Sequence, residues 1–335
     1  VRKDWVQYLG IDIDNVKTID EWYNMLKAFV EDDPDQNGAD DTVGYLAYGD
    51  DERKLSIFLD SFDAARTKYI DGEVLPNYVQ DSYKEWLKFM NKLYKEKILD
   101  PEYVVNTKQQ MWEKAVSGKY GAWLHFWSIQ EYVGMGGSRE DLIAVPPPLR
   151  QDGSEAGYLY TSPVRHYIAV TKDCKHPEKV VELMDWAVSE EGGTFVHAGL
   201  EGLDYDIKDG EIVIREDRKG KNWAWRFITL GIQKTKMDDH LESLLIQSWG
   251  ELGMEHLKMS ESLGFYDEIL MFAPYFPELA DYDLDSQKIE FRDKAIMGQI
   301  DIDAEWDKFV ENWRNSGGNE WIRLHTEWYE NEFNK

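Results

Sequence analysis

Residues 18–48 read TIDEWYNMLKAFVEDDPDQNGADDTVGYLAY, and this one stretch sets the class of the fold. Thr18 and Glu21 stand at the head of an apolar series, Trp22, Met25, Leu26, Phe29 and Val30, which is the capping box and buried stripe of an amphipathic helix. An acidic loop follows from Asp32. Val43 to Tyr48 then reads as a short strand, rich in β-branched and aromatic types and bounded by glycine and aspartate. Helix, loop and strand in direct succession predict an α/β chain.

The alternation continues outward. Tyr83, Trp86, Leu87, Met90, Leu93 and Tyr94 share one face of a helix that starts near Ser82 and stops before Asp100-Pro101, and another helix is expected from Gln109 to Val116. Tyr120 to Phe126 reads as a buried strand that runs almost directly into a helix opened by the capping box Ser128-Ile-Gln-Glu131. Pro146, Pro147 and Pro148 suggest a stiff crossover between lobes. Beyond it lie a turn and strand over Gln151 to Tyr160, a strand from Tyr167 to Thr171, and a helix with Pro177 as its first residue. That helix carries Val180, Val181, Leu183, Met184, Trp186 and Ala187, and is expected to end at Gly192-Gly193. Lys208-Asp-Gly210 signals a small hairpin, and from about Trp223 onward the pattern is nearly all helical.

A chain of 335 residues exceeds one ordinary core and predicts two lobes, or one lobe with a helical extension. The formal charge of −27 excludes a nucleic-acid partner, because phosphate recognition needs a basic surface, and disfavours anionic membranes for the same reason. With Cys174 as the one cysteine, neither a disulfide framework nor a thiolate metal site can be built. No apolar run approaches a membrane span and no signal peptide is present; Val1-Arg-Lys-Asp-Trp5 reads like mid-protein sequence, so an upstream segment is expected to have been removed.

The most specific motif is Asp33-Pro-Asp-Gln-Asn-Gly-Ala-Asp-Asp-Thr42. Asp33, Asp35, Asn37 and Asp41 fall at loop positions one, three, five and nine, with Gly38 at six, where an EF-hand-type loop must turn around its ion. Those side chains, with the Ala39 carbonyl, make an oxygen set suited to calcium. Position twelve is Gly44 where a regulatory EF-hand has a bidentate glutamate, and a strand is expected to follow. The ion is therefore expected to be structural, riveting a helix end to a strand. The competing reading is a solvated acidic turn.

Four stretches carry a resemblance to the extracellular solute-binding proteins of carbohydrate ABC importers, in particular the lipoprotein-type branch that includes alginate-oligosaccharide binders. They are Val1 to Gly10 with the Thr18 helix and the Asp33 loop; Gly121-Ala-Trp-Leu-His-Phe-Trp127; Gly199-Leu-Glu-Gly-Leu-Asp-Tyr205 with Lys208-Asp-Gly210; and Phe291 to Gly298 with Glu305 to Val310. The resemblance implies a two-lobed, periplasmic-binding-protein-like fold of type II. It also implies roughly 150 further residues upstream in relatives, with a signal peptide and often a lipidated cysteine. On that frame residues 1–145 and 205–335 form the C-terminal lobe, and 146–204 return to an incomplete N-terminal lobe. An extracellular, surface-anchored or periplasmic monomer that docks on permease subunits is implied as well.

A ligand is then expected beyond the carboxyl ends of strands and between lobes. Trp127 is the preferred stacking platform, since a flat indole offers an apolar face to the C–H side of a sugar ring. His125 could donate to a hydroxyl. Tyr48 and Asp50 follow the strand after the calcium loop, and Arg165 and His166 could reach an acidic sugar, arginine being suited to bidentate carboxylate binding. Trp223 and Trp249 are aromatic candidates on the helical side. Each has a plainer alternative: packing for the tryptophans, an internally satisfied ring for His125, a solvated turn for Tyr48 and Asp50, structural pairing for Arg165 and His166.

No catalytic residue is assigned. A glycoside hydrolase remains a rival, because such a cleft needs only two carboxylates across the bond, yet no Gly-x-Ser-x-Gly elbow, phosphate loop or His-Glu-x-x-His signature is present. A calcium-dependent carbohydrate-adhesion module is the other rival. The sequence favours a binder that closes about a hinge on an oligosaccharide.

Overall fold

A computed structural model describes residues 1–49, 55–125, 128–160, 168–219 and 239–334. The decisive stretch folds as its pattern demands. After the short helix α1 (Lys3–Tyr8), α2 (Ile19–Glu31) starts on a complete capping box between Thr18 and Glu21, and buries Trp22, Met25, Leu26 and Phe29. Strand β1 (Val43–Leu46) follows the acidic loop. The hairpin β2 (Lys68–Ile70) and β3 (Glu73–Leu75), the helices α3 (Asp81–Lys95) and α4 (Lys108–Ala115), strand β4 (Tyr120–Trp123) and helix α5 (Ser128–Gly134) come next. β1 and β4 pair in parallel, with Val43 opposite Tyr120 and Leu46 opposite Trp123.

Two glycines let α2 lie against this pair. A Cβ on Gly44 would stand 2.6 Å from the Leu26 carbonyl oxygen, and one on Gly121 would stand 2.3 Å from the Phe29 ring. Both strands therefore present bare backbone where the helix crosses them. Around this contact Trp5, Trp22, Trp86, Tyr45, Tyr83, Phe29 and Phe58 are fully buried in one continuous core. At about 1.5–3 kcal/mol for each large side chain taken from water, this cluster is the main source of stability in its part of the chain.

Farther on come β5 (Tyr158–Tyr160), α6 (Pro177–Ala187), α7 (Glu190–Ala198) and the hairpin β6 (Tyr205–Lys208) and β7 (Glu211–Ile214). Then follow α8 (Asp239–Leu263), β8 (Gly264–Tyr266), α9 (Glu268–Phe272), α10 (Leu284–Ile296), α11 (Ile302–Trp313) and α12 (Asn319–Trp328). The turn of the second hairpin holds Asp209 and Gly210 at φ 54° and 86°, as the Asp-Gly pair predicts. β5 and β8 pair in parallel, so the helical run expected after Trp223 is broken by one short strand.

The chain forms two compact units. One comprises Val1–Ser128, Met135–Pro163 and Ser260–Lys335; the other comprises Ile129–Gly134 and Val164–Met259. The first passes through Pro146–Pro148 without a break, because the residues after them are tied back into it. Leu149 donates its N–H to the Lys17 carbonyl (2.7 Å), and buried Asp60 accepts from the Arg150 guanidinium (2.7 Å) and the Gly157 N–H (2.8 Å).

Two other expectations differ. Residues 168–171 form no strand, no sheet among the described residues includes them, and Ile168 and Val170 are exposed. The helix from Pro177 ends at Ala187, and Gly192 and Gly193 lie inside α7, which Ser189 caps by accepting from the Gly192 N–H. Gly192 is there for close packing: a Cβ would meet the Trp186 carbonyl oxygen at 2.1 Å.

Candidate functional site

The acidic loop is held by its own side chains. Asp33 (φ 46°), Gln36 (φ 58°) and Gly38 (φ 73°) turn the backbone, and the Asp33 carboxylate accepts from the N–H groups of Asn37 (3.2 Å) and Gly38 (3.0 Å). The Asn37 amide nitrogen donates to Asp35 (2.9 Å) and Asp41 (3.1 Å), while its oxygen accepts from the Ala39 N–H (2.6 Å). The second oxygen of Asp41 accepts from the Lys119 ammonium at 2.6 Å. Loss of water around Asp35, with Asp33 and Asp41 beside it, pushes that carboxyl up, whereas Lys119 pulls Asp41 down.

Among the described residues no three His, Cys, Asp or Glu side chains stand arranged to hold a metal ion. The reason is local: Asp33 is turned onto backbone N–H groups, and an amide nitrogen stands between the other two carboxylates. The residues nonetheless fit a hard cation in kind and spacing, since every group offered is an oxygen. One Asp35 oxygen is buried with no hydrogen-bond partner in the structure, which is the condition a cation would relieve. Turning the Asn37 amide over would offer Oδ1 to Asp35 and Asp41 in place of nitrogen. Gly44, at the twelfth position, lies in β1 against Leu26, so packing excludes a glutamate there.

Strand direction separates this loop from the candidate ligand residues. The loop enters the amino end of β1, and Lys119 precedes the amino end of β4. Tyr48 and His125 follow their carboxyl ends. A four-residue strand spans about 13 Å, so loop and ligand residues sit at opposite ends of one parallel pair.

At the carboxyl end the backbone around Tyr48 is gripped on both sides. Buried Asn106 donates to the Ala47 carbonyl (2.9 Å) and to Asp100 (2.7 Å), and Asp100 returns its N–H to the Tyr45 carbonyl (2.9 Å). Fully buried Arg292 donates to the Gly49 carbonyl (2.5 Å) and to Asp293 (2.8 Å). Tyr48 itself is only 3% exposed. His125 is half-buried and stands edge-on to buried Trp112, with centroids 5.0 Å apart.

Tyr48 and His125 are thus delivered to one end of the same strand pair. Trp249 belongs to the other unit, half-buried against Leu245 and Met254, one residue before Gly250 (φ 76°) interrupts α8. Asp50, Trp127, Arg165, His166 and Trp223 lie outside the described residues, as does the Ser128 side chain on which the expected cap rests. Sequence reading missed Asn106, Arg292, Lys119 and Trp112. Arg292 lies in a helix stretch read only for resemblance, and Asn106 carries no local signal beyond preceding the Thr107 cap of α4.

The sequence profile of the bacterial extracellular solute-binding proteins matches residues 1–194. Lipoprotein LipO of Bacillus subtilis is 26% identical over 346 residues, covering 96% of this chain and 66% of LipO. The polygalacturonan/rhamnogalacturonan-binding protein YtcQ of the same organism is 23% identical over 344 residues, covering 98% and 66%. The chain therefore spans about two thirds of the length of these curated relatives. Among solved structures, the alginate-binding protein AlgQ2 without calcium ion superposes with a TM-score of 0.65 at 19% identity, over 98% of this chain and 71% of that one. That likeness shows the fold, the two-lobed periplasmic-binding-protein-like α/β class expected from the sequence.

Proposed function

Because the chain belongs to the bacterial extracellular solute-binding protein family, we propose that it is the substrate-binding component of an ABC importer with a carbohydrate, an oligosaccharide, as cargo. Its site of action is the outer face of the cell, anchored or periplasmic, where the loaded monomer docks on permease subunits. Binding proceeds by closure about a hinge and involves no covalent step. The ligand residues in this reading are Tyr48, Asp50, His125 and Trp127, which follow the two strands in sequence, with Arg165, His166, Trp223 and Trp249 from other parts of the chain.

The observation that carries the reading is the parallel β1–β4 pair, whose carboxyl ends are followed by Tyr48 and by His125. Ligands of open α/β sheets collect at that end. Support for the sugar comes from YtcQ and AlgQ2, whose names state polygalacturonan, rhamnogalacturonan and alginate. Calcium in the Asp33 loop completes the reading as a structural ion held by Asp33, Asp35, Asn37, Asp41 and the Ala39 carbonyl. Its position at the far end of the strands favours a binder over a calcium-dependent adhesion module, in which the ion would touch the sugar.

The test is calorimetric titration of the chain with a panel of neutral and uronic-acid oligosaccharides, together with chromatography of the sugars after incubation. Saturable binding with the sugar recovered intact is expected. Reproducible cleavage would overturn the binder reading in favour of a glycoside hydrolase.

A further inference from the structure

We propose that Lys119 is a built-in stand-in for the divalent ion, and that its ammonium sets how tightly the Asp33 loop takes calcium; this rests on the reading of that loop as a calcium site. Lys119 is remote from the loop in sequence, yet both of its ends are fixed to the loop's exit. Its carbonyl accepts from the Val43 N–H at 2.8 Å, the first rung beside β1, and its Nζ donates to Asp41 Oδ2 at 2.6 Å. The ladder between β1 and β4 therefore delivers a positive charge to the ninth loop position.

Asp41 divides its two oxygens between donors. One accepts from the Asn37 amide and the other from Lys119, so both oxygens are occupied, and Lys119 offsets the charge, of the carboxylate that a bound ion would otherwise ligate. A calcium ion ligated by Asp41 would stand one carboxylate away from the ammonium, about 6 Å. At that separation a divalent ion and a unit charge repel in water strongly enough to change affinity about tenfold. Lys119 is half-exposed, yet its carbonyl is held beside β1, so the ammonium stays near the ninth loop position and opposes an arriving cation. The same ion pair keeps the loop's exit tied to β4 when no calcium is bound.

The experiment is calcium titration by calorimetry on the whole chain after chelator treatment, comparing the natural protein with Lys119→Met and Lys119→Arg, alongside melting of each in chelator. Lys119→Met is expected to bind calcium about tenfold more tightly and to melt lower than the natural protein in chelator. Lys119→Arg, which keeps the charge, is expected to match the natural affinity. Equal or weaker binding by Lys119→Met would overturn the role of Lys119 while leaving the calcium site intact. Absence of calcium binding in all three would overturn the calcium reading itself and this inference with it. Should Lys119→Met fail to fold, Lys119→Gln removes the same charge and gives the same comparison.

Discussion

The side-chain amide of Asn106 donates to the carbonyl oxygen of Ala47 across 59 residues of sequence, at 2.9 Å, and so fixes the backbone where β1 ends. Arg292, from much farther along the chain, holds the Gly49 carbonyl two residues on. The carbonyls on both sides of Tyr48 are thereby anchored by buried side chains. Truncating Asn106→Ala would leave the Ala47 carbonyl without this donor and Asp100 Oδ2 with Lys114 in place of two donors. The expected cost is about 2 kcal/mol, set by desolvated polar groups left unpaired. Urea denaturation reads this loss, and sugar titration at a temperature where the variant is folded should show weakened binding as well.

The bare backbone of β1 and β4 under α2 gives a second prediction. Gly44→Ala and Gly121→Ala should each destabilise the protein by about 1–3 kcal/mol, the usual cost of overpacking. They differ in how they can be relieved. The Gly121 methyl would meet the Phe29 ring, a side chain that a smaller residue can replace, whereas the Gly44 methyl would meet the Leu26 backbone. A Gly121→Ala, Phe29→Leu double variant should therefore recover part of the first loss, and pairing Gly44→Ala with Phe29→Leu should recover none. Additive losses in the Gly121 pair would show that the contact is slack.

His325 provides a pH dependence of known sign. Its ring is stacked on Trp321 at 3.7 Å and lies against Phe276, and its Nδ1 contacts the Trp321 carbonyl at 2.8 Å. Burial lowers its pKa below the ordinary value of 6.5. The unfolded chain therefore takes up a proton near pH 6.5 that the folded chain refuses. Stability from this residue is complete above that pH and is lost as the pH falls toward the depressed folded value, at up to about 1.4 kcal/mol per pH unit. Melting of the natural protein and of His325→Gln across pH 5 to 7.5 should give curves whose separation narrows on acidification. A constant separation would mean that the ring titrates normally.

Features that depend on neighbours in sequence were legible before the structure. The Thr18–Glu21 box, the Asp209–Gly210 turn and the first-position Pro177 all use contacts within a few residues, and all form as read. What failed depended on distant partners. Gly264–Tyr266 becomes a strand only because Tyr158–Tyr160 lies beside it. The anchors of the candidate site are of the same kind. Arg292 meets Gly49 across 243 residues, and no periodicity or spacing encodes that pairing.

The strand pair also predicts how metal and sugar will be coupled. Calcium in the Asp33 loop, as proposed, would lie at the amino ends of β1 and β4 and touch neither Tyr48 nor His125 beyond the carboxyl ends, so removing it should act through stability. At a free concentration one hundred times its Kd, a ligand that binds only the folded state adds about 2.7 kcal/mol. Chelator should therefore lower the melting temperature of the chain while sugar affinity, measured where the protein is still folded, changes less than about threefold. Asp35→Asn tests the loop from the other side: it removes a carboxylate whose one oxygen is buried without a hydrogen-bond partner, and so should abolish the chelator effect at little cost to the ion-free protein. Loss of sugar binding on chelation at an unchanged melting temperature would mean that the ion and the ligand share one site, and the assignment of opposite ends to opposite roles would fall.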